Sequence, residues 1–141
     1  MPALLTVLQA VNDAAMEIGI AQRPANQAMG SSDEDITQMA SLLTAVADEL
    51  LLEEPYQDLL GDGNWLISDD GLTYKSRPGA DTDRILFDGR LAINGLKYRF
   101  LQAKGLEFGE QMRDFLNRMN RVAVRANQRV LDLDTDWGRS I

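Results

Sequence analysis

The chain has no cysteine and no histidine. Without cysteine there are no disulfides and no thiolate metal sites. Without histidine there is no imidazole to ligate a metal or to act as general base near neutral pH. Prolines number only 4, and aromatic residues make up 6% of the chain. No apolar run approaches the ~18 residues that mark a membrane span. Met1-Pro2-Ala3-Leu4-Leu5 lacks a basic segment ahead of its apolar residues, so no secretory signal is expected. For chemistry the chain has Asp, Glu, Ser, Thr, Lys, Arg and Tyr. No catalytic residue, cofactor site or metal site is assigned, and the expectation is that the chain is not an enzyme.

Positive charge is scarce in the first part of the chain. Residues 1–83 hold 3 Lys/Arg against 15 Asp/Glu, a net charge of −12, whereas residues 84–141 hold 11 against 7, a net of +4. This split has two readings: an acidic and a basic part that attract within one copy, or complementary surfaces between copies. The 141 residues suffice for one domain with a real core.

Apolar spacing predicts helices. Leu4, Leu8, Val11, Ala15 and Ile18 step by four and three, with Gly19 placed for a left-handed C-cap. Ser31 and Glu34 have capping-box spacing ahead of Ile36, Met39, Leu43, Val46 and Leu50, and Pro55 should end or kink that helix. Ile93, Leu96, Phe100 and Ala103, widened by Leu91, Tyr98 and Leu101, give a third face that ends at Gly105. Phe108, Met112, Phe115, Met119, Val122 and Ala126 give a fourth. The expected helices span about 4–18, 33–54, 86–104 and 107–128. Trp65-Leu66-Ile67 and Leu72-Thr73-Tyr74 flank Asp69-Asp70-Gly71, which predicts a hairpin near 65–75 whose pairing Ser76 to Gly79 breaks. The expected fold is mainly α: a small antiparallel bundle of about four helices with a short β-hairpin and an extended C-terminal tail. Residues 1–129 form the helical domain and 130–141 the tail.

Four patterns could carry function. Asp132, Asp134 and Asp136 have calcium-loop spacing, but Trp137 stands where an EF-hand loop needs glycine, and its twelfth position would fall beyond Ile141. The apolar tail residues Val130, Leu131, Leu133 and Trp137 suit docking onto another chain instead. Arg118, Arg121, Arg125 and Arg129 form a stripe beside the fourth apolar face. An intersubunit surface is the expectation for that stripe. A solvated face and a phosphate-binding face are the alternatives, the latter opposed by Glu110 and Asp114 at its edge. Asp69 and Asp70 read as a turn rather than a catalytic pair. Trp65, Tyr74 and Phe87 read as anchors of the hairpin on the bundle, with a ligand pocket as the alternative.

The run Tyr98-Arg99-Phe100-Leu101-Gln102-Ala103-Lys104-Gly105-Leu106-Glu107-Phe108-Gly109-Glu110-Gln111-Met112-Arg113, preceded by Leu86-Phe87-Asp88-Gly89-Arg90-Leu91, resembles the C-terminal helical hairpin of head-to-tail adaptor (connector) proteins of tailed bacteriophages. Glu17-Ile18-Gly19-Ile20 is similar to the end of that family's first helix, and Asp33 to Glu54 to its second. The resemblance covers most of the chain and is densest from Leu86 to Arg113. It implies a virion protein of the neck, present in the host cytoplasm during assembly. It implies a dodecameric ring under the portal vertex that extends the DNA channel and offers a platform to tail or nozzle proteins. The expected partners are other copies of the chain and the portal protein, with the C-terminal arm gripping the portal. Double-stranded DNA would pass without tight binding, and no membrane is involved. The chain departs from the family between Asn64 and Arg77, where relatives carry a longer β-region, so no tail-docking role is carried over to the hairpin. The alternative is a small helical nucleic-acid-binding regulator using Arg118 to Arg129.

Overall fold

A computed structural model describes residues 4–21, 23–53, 56–57, 60 and 63–123. Among them are four helices and a small antiparallel sheet, the architecture expected from the sequence.

Helix α1 runs Val7–Glu17 and starts later than the apolar spacing suggests, because a capping box fixes its first turn. Thr6 Oγ1 accepts from Gln9 N–H at 3.1 Å, and Gln9 Oε1 accepts from Thr6 N–H at 2.9 Å. Gly19 leaves the helix at φ 80°, as expected of a left-handed cap. Asn12 then clips the following loop, bonding Ala25 N–H at 2.9 Å and Ala25 C=O at 3.1 Å.

Helix α2 runs Glu34–Leu51 and buries the expected stripe of Ile36, Met39, Leu43, Val46 and Leu50. Its cap corrects the sequence reading. Asp33, not Ser31, is the N-cap and accepts from Asp35 and Ile36 N–H. Ser31 sits two residues outside and accepts from Asp33 N–H at 3.1 Å. The helix also ends before residue 54. Gln57 Nε2 donates to the Leu51 carbonyl at 2.8 Å, which satisfies a terminal acceptor and turns the chain so that Tyr56 enters the core. Pro55 lies outside the described residues.

The hairpin forms where expected but gains a third strand. β1 (Leu66–Ile67) pairs antiparallel with β2 (Tyr74–Lys75) and with β3 (Arg84–Ile85), in the order β2-β1-β3. Leu66 lies opposite Lys75 and Ile85, and Ile67 opposite Tyr74 and Arg84. Asp70 makes the turn by accepting from Ser68 Oγ and Leu72 N–H, while Gly71 takes φ 76°. The sequence places the start of the third helix between Asp83 and Asp88, at about residue 86. The structure adds the unforeseen β3 just before it and caps the helix at Asp88, so that it starts at Gly89.

Helix α3 (Gly89–Ala103) is the centre of the molecule. It packs on both α1 and α2 and buries Leu91, Ala92, Ile93, Asn94, Gly95, Leu96, Tyr98 and Phe100, more than one face. Ala103, expected in the core, is exposed. Two glycines permit close approach. A Cβ at Gly95 would lie 2.5 Å from Val46 Cγ1, and one at Gly89 2.6 Å from Leu5 Cδ1. Gly105 (φ 71°) reverses the chain, and helix α4 covers residues 109–123. Phe115 and Met119 are its buried anchors; Phe108, Met112 and Val122 are partly buried beside them. Ala126 lies outside the described residues.

Candidate interaction surfaces

The acidic and basic parts of the chain meet inside one copy. Arg90 and Lys97, both on α3, reach Glu17 at the end of α1 at 2.8 and 3.0 Å. Arg99 reaches Glu49 on α2 at 2.9 Å, Lys104 reaches Asp35 at 3.2 Å, and Arg84 reaches Asp69 at 3.4 Å. Each pair joins a cation after residue 83 to an anion before it. The charge split therefore has an intramolecular use. Exposed pairs contribute only about 0–1 kcal/mol each, so they align helices more than they hold them. Burial pushes the Glu17 carboxyl up, but hydrogen bonds from Lys97 and Arg90 outweigh this and hold it below the usual range.

Glu49 is more deeply engaged. Its Oε2 accepts from both Tyr98 OH and Arg99 Nη2. Burial, and then Glu49, raise the Tyr98 phenol well above its ordinary pKa, so Tyr98 stays a donor. The Tyr98 ring packs 5.2 Å from that of Phe115, which ties α2, α3 and α4 together.

The arginine stripe divides. Arg118 makes a two-pronged pair with Asp88, Nε to Oδ2 and Nη2 to Oδ1, both at 2.9 Å. Asp88 also caps α3 by accepting from Leu91 N–H at 3.1 Å. Burial raises the Asp88 carboxyl; the Arg118 and Leu91 bonds overcome this and hold it low. Arg118 is thus occupied in fixing α4 on the start of α3. Arg121 is exposed, and Arg125 and Arg129 lie outside the described residues.

Beside this pair is a cleft of about 590 Å³, lined by Leu4, Leu5, Phe87, Ile93 and the polar groups of Asp13, Asp88, Arg90 and Arg118. Both arginines are already paired, with Glu17 and Asp88. Nearby, Tyr56 donates to the Met119 carbonyl at 2.9 Å, and burial followed by the Asp88 charge pushes its phenol up to about 12. It is protonated at neutral pH. Tyr56 was missed in the sequence reading, since it follows a proline and has no periodic neighbours. Among the described residues, no group of three Asp or Glu side chains is placed to hold a metal ion, and no helix is long and apolar enough to cross a membrane. Asp132, Asp134 and Asp136 lie outside them.

Two of the three aromatic anchors behave as expected. Trp65 is buried, donates through Nε1 to the Ser76 carbonyl at 2.8 Å, and packs 6.0 Å from Phe87. Tyr74 is exposed on β2 and is not part of the core among the described residues. Asp83 secures the loop after β2. It is 1% exposed, and it accepts from Lys75 Nζ at 2.8 Å, Gly79 N–H at 2.7 Å and Ala80 N–H at 3.0 Å. Burial raises its carboxyl, but these three donors outweigh this and hold it below its ordinary range, so it stays ionised.

The sheet has two unlike edges. The chain entering α1 covers the outer edge of β3: Leu5 C=O accepts from Ile85 N–H at 2.8 Å, and Val7 N–H donates to Asp83 C=O at 2.9 Å. No described segment covers the outer edge of β2. The tail residues Val130, Leu131, Leu133 and Trp137 lie outside the described residues. Compared with protein families, curated proteins and solved structures, the chain gives no match.

Proposed function

We propose that the chain is a virion structural protein, a head-to-tail adaptor of a tailed bacteriophage. It forms a ring under the portal vertex, extends the DNA channel and presents a platform for the tail. The observation that carries this reading is the pattern from Leu86 to Arg113, whose residues make α3, the Gly105 reversal and the first turn of α4. Those residues serve packing: Tyr98 and Phe100 are buried, and Arg99 is paired with Glu49. A rigid helical unit with its cations paired internally suits a subunit that is stacked beside identical copies.

The nucleic-acid regulator reading draws less support. Arg118, the first residue of its stripe, is held by Asp88. Asp114 and Glu110 remain on the same helix.

Mixing the purified chain with a portal protein and measuring mass by size exclusion with light scattering tests the proposal. A stable complex containing many copies per portal ring, seen as an added ring by electron microscopy, is the expected outcome. No association at any concentration used overturns it.

A further inference from the structure

We infer that the cleft at the start of α3 receives the reversal tip Leu106-Glu107 of a neighbouring copy, in a head-to-tail contact between identical chains. This rests on the ring reading and names the residues through which adjacent copies meet.

The first observation is the cleft. Leu4, Leu5, Phe87 and Ile93 form its apolar wall, and Leu4 stays 40% exposed there. Arg90 and Arg118 border it, and neither guanidinium is fully engaged. Arg90 meets Glu17 through Nη1 alone, which leaves Nε and Nη2 without a bond among the described residues. Arg118 meets Asp88 through Nε and Nη2, which leaves Nη1. The two side chains are 47% and 34% exposed. An apolar wall beside such guanidinium edges fits an apolar side chain with a carboxylate next to it.

The second observation is the tip. Residues 102–107 are exposed without a break. Two backbone bonds hold their shape: Leu106 N–H donates to Leu101 C=O at 2.9 Å, and Gly105 N–H to Gln102 C=O at 3.1 Å. In that motif the residue after the glycine often packs back on its own helix. Leu106 instead remains 55% exposed. Glu107 follows it, exposed and in no ion pair among the described residues. A lone exposed leucine is ordinary. One carried on a preformed tip beside an unpaired carboxylate matches the cleft in polarity and in sign. A preformed tip also loses little freedom on docking.

The third observation is where the two lie. The cleft is at the first turn of α3 and the tip follows its last turn, so the 15-residue helix holds them about 20 Å apart. No copy can fill its own cleft. A contact between opposite ends of one helix is heterologous and repeats from copy to copy, closing a ring when the rotation allows. Asp13 also borders the cleft, exposed and in no ion pair among the described residues. It repels Glu107 and so favours the orientation that turns this carboxylate to the arginines.

The absence of native cysteine makes the test direct. Full-length Leu106→Cys is mixed with Leu4→Cys, and separately with Asp13→Cys, then oxidised, both free and on a portal protein. Cysteine keeps an apolar side chain at the tip. All three positions are exposed, so the core is spared, and circular dichroism checks this. Leu72→Cys, at a position 81% exposed by the hairpin turn, takes the place of Leu106→Cys as a collision control. The expected result is a disulfide-linked heterodimer that forms many times faster than the control in at least one pairing. The double variant Leu106→Cys/Leu4→Cys should give a ladder of higher species. Adding Glu107→Gln should slow cross-linking severalfold and weaken its dependence on salt. Cross-linking no faster than the control in both pairings overturns the inference. So does a double variant that stops at a dimer, which means reciprocal exchange, or a rate that Glu107→Gln leaves unchanged. If cross-linking stays at the control rate while rings still form on the portal, this inference falls alone. If cross-links form as expected and the chain never joins a portal, the adaptor reading falls alone.

Discussion

Gly95 shows how a single missing methyl sets a helix contact. Val46 and Phe115 both close on the space above its Cα, and Val46 is fully buried with a stiff χ1. Alanine there gains up to ~1 kcal/mol of helix propensity but meets a strain of ~1–3 kcal/mol. Gly95→Ala should therefore lower stability by about 1–2 kcal/mol in a denaturant titration. The cost should shrink when Val46→Ala is added, because the two sites share one contact. Equal costs with and without the second change would refute that contact. The carboxylates give a second residue-scale test. Asp83, Asp88 and Glu17 are all held below their ordinary values. Their stabilisation is fully present above about pH 4, the ordinary carboxylate range, and is lost as pH falls through the lowered folded values. Stability should thus decline steadily in acid, and Asp83→Asn should flatten the decline. An acid profile identical to that of the unaltered chain would remove Asp83 from this role.

At the scale of elements, legibility followed length. Helices α1 to α3 and the described part of α4 came from apolar stepping, because 11 to 18 residues repeat a face several times. β3 escaped because two residues show no period, and Asp83 and Asp88 beside it resemble helix caps. The capping box Thr6-Val7-Leu8-Gln9 was present in the sequence but overlooked in favour of the apolar count beginning at Leu4. One contact that seats α4 is Arg118 on Asp88, and spacing could not reveal it, since 30 residues separate the two. Arg118→Ala would leave a half-buried carboxylate with two hydrogen bonds fewer. A loss of about 1–3 kcal/mol is expected, with faster amide hydrogen exchange confined to α4 and the first turn of α3. Uniform acceleration over the whole chain would mean that the pair does not seat α4 specifically.

For the whole molecule, the charge split was legible but its use was not. Composition gives −12 and +4 without saying whether the two parts meet in one copy or between copies. The pairs on Glu17, Glu49, Asp35 and Asp69 consume much of it internally. The net charge of −8 remains, and a ring of such copies would repel DNA rather than hold it. Binding of duplex DNA at physiological salt should be weak, with no submicromolar affinity by fluorescence anisotropy. Tight, strongly salt-dependent binding would favour the regulator reading. The candidate surfaces were half legible. The arginine stripe stood out in the sequence, but the Asp88 partner of Arg118 did not, because that pairing is a property of the assembled fold.

The strap of Leu5 to Val7 across β3 also sets an order of events on the ribosome. Leu5 is made about 80 residues before Ile85, roughly 4–16 s earlier at ~5–20 residues per second. Until then α1 and α2 have only each other to pack on, and the faces they turn to α3 stay uncovered. The nascent chain therefore carries for seconds an apolar surface that only its second half can cover. Synthesis rate and chaperone supply, more than final stability, should govern how much soluble protein a cell recovers.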